Sequence, residues 1–183
     1  MLAFNSFIGG RRPALIAVSL AAFAFAAPAS ASQSVGTIDL ELNVTNACVV
    51  NGATAVQPNL GSTGKILFAD QPGTFTSVDG QLVGSMGALS VKCSPGASPT
   101  LTIGSGVNDS NGSHYLASGA STVAYHLFTD SARTNEIGIG QQLALGTATA
   151  SAISVPIYAR AVNNGTLLAA GKYTDTVQVT LSW

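Results

Sequence analysis

From Thr37 onward the stretch Ser34–Val44, SVGTIDLELNV, alternates strictly: Ile38, Leu40, Leu42 and Val44 fall on one side, Thr37, Asp39, Glu41 and Asn43 on the other. Successive side chains of a strand point to opposite faces, so this period of two predicts a strand with one apolar and one polar face. Asn46–Val50 continues as strand until Asn51-Gly52 turns the chain, and Lys65–Ala69 is a short strand closed by Asp70-Gln71-Pro72-Gly73. Leu89, Val91 and Cys93 alternate, which places the Cys93 sulfur on the core side of a strand, and Thr100–Ile103 makes the next one. Val123–Thr129, VAYHLFT, is apolar on both faces, as expected of a buried central strand. In Ile153–Val162, Ile153, Val155, Ile157, Ala159 and Ala161 share one face. Pro156 falls on the opposite phase and points to an edge or a bulge, because proline cannot donate to a ladder. In the final stretch Tyr173–Trp183, the residues Tyr173, Val177, Val179, Leu181 and Trp183 share a phase that Asp175 interrupts.

Loops rich in Gly, Asn, Ser and Pro separate these runs, and no segment of the later chain shows a helical period over ten or more residues. Seven or eight short strands with regular turn signals predict an all-β antiparallel sandwich. The N-terminus is different. Arg11 and Arg12 precede the apolar run Pro13–Ala27, and Ala29-Ser30-Ala31 supplies small residues, the pattern of a secretory signal peptide over residues 1–31. The run is short for a membrane span of about 20 residues. Cleavage there would leave 152 residues, enough for one domain with a sizeable core.

Charge is sparse. Seven basic residues stand against eight acidic ones, and loss of Arg11 and Arg12 would leave a net charge of −3. This leaves no basic patch for nucleic acid and no polybasic segment for anionic lipid. The two cysteines, Cys48 and Cys93, form an even count in an exported chain and are expected to make one disulfide. Two metal ligands are the other reading, but no histidine stands at a useful spacing. A disulfide closing a 45-residue loop would contribute about 4 kcal/mol in the chain-entropy model.

Catalytic patterns are missing. His114 lies beside the polar loop Gly104–Ser113 and is expected in solvent, while His126 lies within a strand, packed or at an edge. That loop holds a single carboxylate, Asp109, too few for a calcium loop. No serine sits in a nucleophile elbow, no zinc signature occurs, and Gly138-Ile139-Gly140 lacks the context of a nucleotide loop. The sequence therefore predicts neither an enzyme nor a bound cofactor.

Three segments together resemble the spore coat protein U domain family, which includes the pilins of archaic chaperone–usher pili of the Csu type. They are Leu42–Gly52, LNVTNACVVNG; Val123–Thr134, VAYHLFTDSART, with Tyr125, Asp130 and Arg133; and the tail, with Val155-Pro156-Ile157-Tyr158 and Gly171–Thr176. Asn135-Glu136-Ile137-Gly138 and Tyr158-Ala159-Arg160 depart from the family's usual Trp-Gly and Tyr-Gly-Arg. The resemblance implies an incomplete immunoglobulin-like sandwich completed by donor-strand exchange, with residues 32–44 as donor strand and 45–183 as the pilin domain. It implies that Ile38, Leu40 and Leu42 are donor plugs, with Val44 either the last plug or the first residue of the subunit's own first strand. Val177, Val179 and Leu181 would line the acceptor groove, and Trp183 would close its end where a chaperone holds the terminal carboxylate. Tyr125, Asp130, Arg133, Tyr173 and Asp175 would be corner and turn residues, including an Asp–Arg contact. The implied partners are identical or related pilin subunits, a periplasmic chaperone and an outer-membrane usher, with no small-molecule substrate. The implied role is a surface fibre supporting adhesion and biofilm formation; a tip adhesin or secreted binding module, and a spore or cyst coat component, are the alternatives.

Overall fold

The computed structural model describes residues 32–83 and 88–183. The residues read as a signal peptide, 1–31, lie outside them. The chain divides into two units, Met1–Leu42 and Asn43–Trp183. The described part of the first, residues 32–42, carries no assigned strand.

Among its described residues the second unit holds twelve strands: β1 Cys48–Val50, β2 Lys65–Phe68, β3 Ser77–Val83, β4 Leu89–Cys93, β5 Thr100–Gly106, β6 His114–Ser118, β7 Ser121–Phe128, β8 Glu136–Ile137, β9 Gln142–Ala144, β10 Ile153–Val155, β11 Tyr158–Val162 and β12 Val177–Ser182. Every pairing between them is antiparallel. Three sheets run in the orders β1-β4-β10, β2-β3-β11-β7-β6 with β8 on β7, and β12-β5-β9. Among the described residues there is no helix.

Alternation builds the core. β4 buries Leu89, Val91 and Cys93, β7 buries Val123, Tyr125 and Leu127, and β11 buries Ala159 and Ala161, each at a spacing of two. With Leu101 and Ile103 of β5 and Cys48 and Val50 of β1 they form one cluster fed by all three sheets. Cys48 lies directly opposite Cys93 in the β1–β4 ladder, 4.0 Å apart at Cα, and the two are joined as a disulfide.

One expectation changes. The run Ile153–Val162 is not one edge strand: the chain breaks at Pro156 and changes sheets, β10 pairing β4 while β11 lies between β3 and β7. Proline removes the ladder donor where the chain leaves the first sheet. β3 arises from Ser77–Val83, which contains Asp79-Gly80, a pair that reads as a turn. Gly80 is there for packing. A Cβ would come within 3.0 Å of the Ile66 and Phe68 side chains and the Leu67 carbonyl on β2.

Candidate functional site

β2 ends one sheet, paired only to β3, and β12 ends another, paired only to β5. Between them runs a groove of about 1360 Å³ whose lining includes Ile66 and Phe68 from β2, Val177 and Val179 from β12, and core residues Ile103, Val123, Leu127 and Ala159. The walls are thus sheet edges with backbone groups free to pair, and the lining reaches the apolar core. Alternation in KILF turns Ile66 and Phe68 toward it, with both half-buried, while Lys65 and Leu67 are exposed. The sequence reading named no residue of this second wall, although its period of two was visible.

The residues expected along the groove divide. Val177 and Val179 line it; Leu181 and Trp183 line a smaller pocket of about 310 Å³ together with Cys48, Val56, Pro58 and Leu60. Val179 and Thr180 border both. The Trp183 indole N–H donates to the Asn46 carbonyl at 3.2 Å. Ile38, Leu40, Leu42 and Val44 are between 83% and 90% exposed, and residues 32–47 carry no assigned strand.

A polar cluster joins the β5–β6 connection, β7 and the segment before β12. His114, expected in solvent, is 4% exposed and stacks on Tyr125, with ring centroids 5.1 Å apart. It is buried because β6 starts at this residue and pairs it opposite Tyr125. His114 Nδ1–H donates to Asp109 Oδ1 at 2.8 Å, and the Gly106 amide donates to Asp109 Oδ2 at 2.6 Å. Asp175 accepts from the Tyr125 hydroxyl at 2.6 Å and from the Asn108 amide and side chain at 3.1 and 3.0 Å. Burial, and then the hydrogen bond to Asp175, hold the Tyr125 phenol well above its ordinary pKa.

Asp109, His114 and Asp175 offer ligand atoms within 4.8 Å of one another, the geometry of a cation site. The donor inventory argues otherwise. Each of the four carboxylate oxygens receives a hydrogen bond, while His114 Nε2 is buried without a hydrogen-bond partner. Sequence distance hid the cluster, since Asp175 lies 67 residues from Asn108.

The expected Asp–Arg contact is made by a different aspartate. Arg133, at φ 58°, donates to the carbonyls of Ser131 and Ala159 and pairs with Asp79 at 3.2 Å. Arg160 also holds Asp79, and its hydrogen bond is the main cause that lowers the Asp79 pKa. Asp130 instead accepts from the backbone N–H groups of Thr134 and Asn135, which hold its carboxyl below the usual range. A short side chain just before a tight turn finds local backbone donors first. His126 of β7 bonds Glu136 of β8 at 2.6 Å, with both side chains about half exposed.

No curated protein matches the chain. It is similar in fold to a chain of the CsuC–CsuE chaperone–tip adhesion subunit pre-assembly complex of Acinetobacter baumannii archaic Csu pili, at 15% identity and a TM-score of 0.50. The match covers 76% of this chain and 40% of that one, so the chain spans well under half the length of that relative. A chaperone–usher pilus structure aligns over 84% of this chain and 98% of its own, at 13% identity and a TM-score of 0.38. The Spore Coat Protein U domain profile matches residues 34–180. An all-β domain with this profile over most of its length belongs to the Spore Coat Protein U domain family.

Proposed function

We propose that this chain is a structural subunit of a surface fibre, exported to the periplasm and polymerised by donor-strand exchange. Its role is mechanical, not catalytic. The observation that carries this reading is the groove between β2 and β12, an open-edged apolar channel in a domain whose N-terminal residues display an alternating apolar face. In the fibre, Ile38, Leu40 and Leu42 of one copy enter the groove of the next, and the inserted backbone bridges the two sheet edges. This is β-augmentation, with hydrogen bonds setting register and alternate side chains setting fit. Burial of three or four aliphatic side chains contributes on the order of 5–12 kcal/mol gross per junction.

An unfilled groove is an aggregation hazard, because open edges pair with any extended chain. A periplasmic chaperone strand fills it before assembly, and an outer-membrane usher passes the subunit to the cell surface, where the fibre supports adhesion and biofilm formation. Family membership and the likeness to a Csu pilus subunit complex support these partners.

A thermal melt tests the reading. The domain begun at Asn43 is heated with and without a Ser32–Val44 peptide. The peptide is expected to raise Tm, and Leu40→Asp in the peptide to abolish most of the rise. An unchanged Tm in a stable, monomeric domain would overturn donor-strand exchange.

A further inference from the structure

The two strands that wall the groove, KILF and VQVTLS, carry a single charge between them, Lys65 of β2. It stands on the outward phase: Ile66 and Phe68 turn to the groove, while Lys65 and Leu67 are exposed. On the opposite wall Gln178, Thr180 and Ser182 hold the exposed phase, and all three are neutral. Lys65 borders the groove and makes no ion pair among the described residues, whereas Arg133 and Arg160 both hold Asp79. Outside these strands Lys172 also lines the groove, but two acids, Asp70 and Asp175, line it as well and offset that charge. Lys92 lies on β4, in another sheet.

The N-terminal segment, residues 32–47, has the complementary charge. Asp39 and Glu41 are its only charged residues, and they alternate with Ile38, Leu40 and Leu42. We infer that Lys65 of one copy pairs with this acidic edge on a second copy's segment, so that the groove selects a strand with acids on its outward face. The inference rests on the exchange reading above and adds to it a residue that decides specificity.

Phase fixes the pairing. Adjacent strands of a sheet carry residues of like phase on the same face. A strand laid along β2 with its aliphatic plugs beside Ile66 and Phe68 therefore brings its acids into the row of Lys65 and Leu67. Acids two positions apart stand about 7 Å apart along a strand. A long side chain reaches both the position directly opposite and the diagonal one, so the pairing does not depend on the direction of the incoming strand. An exposed pair of this kind adds little affinity. It acts instead on the rate of encounter and on the rejection of like charge. A strand with lysine or arginine at either acidic position would meet Lys65 as a repulsion.

Charge exchange tests this in the full chain, with polymer growth followed by light scattering at low and high salt. Lys65→Glu is expected to slow growth about fivefold at low salt, and high salt to close most of the gap. Asp39→Lys or Glu41→Lys, each slow on its own, is expected to restore growth when combined with Lys65→Glu; at least one of the two combinations must do so. Growth of Lys65→Glu at the wild-type rate, or a defect that neither exchange repairs, would overturn the pairing and leave strand exchange standing. Failure of the wild-type chain to polymerise would overturn both. Lys65→Met keeps the apolar stem and gives a second readout: its growth is expected to lose most of the wild type's salt dependence, and an unchanged salt dependence opposes the pairing.

Discussion

Tyr125 shows how one residue ties the groove to the rest of the domain. Its ring packs in the core against His114, its hydroxyl holds Asp175, and both Tyr125 and Asp175 line the groove. The folded state binds the phenolic proton more tightly than the unfolded chain does, since burial and the Asp175 carboxylate both oppose the phenolate. Stability from this group is therefore complete below the unfolded pKa of about 10 and is lost as pH rises beyond it. Melts between neutral pH and strong alkali are expected to show Tm falling above about pH 10, with Tyr125→Phe showing a shallower fall. An equal slope in both proteins would place the alkaline sensitivity elsewhere. Motif residues in the sequence marked Tyr125 and Asp175 separately, but the hydrogen bond between them crosses 50 residues and depends on how the segment before β12 returns to β7.

Among the elements, β2 is the more vulnerable wall. It has four residues and one partner, and its approach to β3 depends on the missing side chain at Gly80. A methyl group there would push against Ile66, Phe68 and the Leu67 carbonyl. Gly80→Ala is expected to cost about 1–3 kcal/mol as an overpacking change and to weaken uptake of the Ser32–Val44 peptide, both readable in the same melts. An unperturbed Tm would show that β2 shifts without consequence. The same glycine explains why β3 was not legible: Asp-Gly is a turn signal locally, and only a neighbouring strand makes it a packing solution. β4, β7 and the Ile153–Val162 run were legible because their apolar residues recur every second position. Pro156 follows β10, an edge strand, and its lost ladder donor also marks the passage to another sheet, which the local pattern did not separate from an edge or a bulge.

At the scale of the molecule, the disulfide holds β1 and β4 together at the base of the N-terminal segment. Exchanging both Cys48 and Cys93 for alanine is expected to cost about 4 kcal/mol, checked by denaturant unfolding at constant m-value. The sequence alone determined the class of the fold, its strand-forming stretches and an amphipathic N-terminal segment, because alternation and turn chemistry act over a few residues. It also determined the cysteine pair, through the even count. Tertiary structure decided which strands have one neighbour and which have two, and so where the groove opens. It also decided that Leu181 and Trp183 belong to a separate pocket, that Arg133 meets Asp79, and that His114 is buried. Each of these is a matter of which distant segments lie side by side, and no local pattern of apolar and polar residues carries that information.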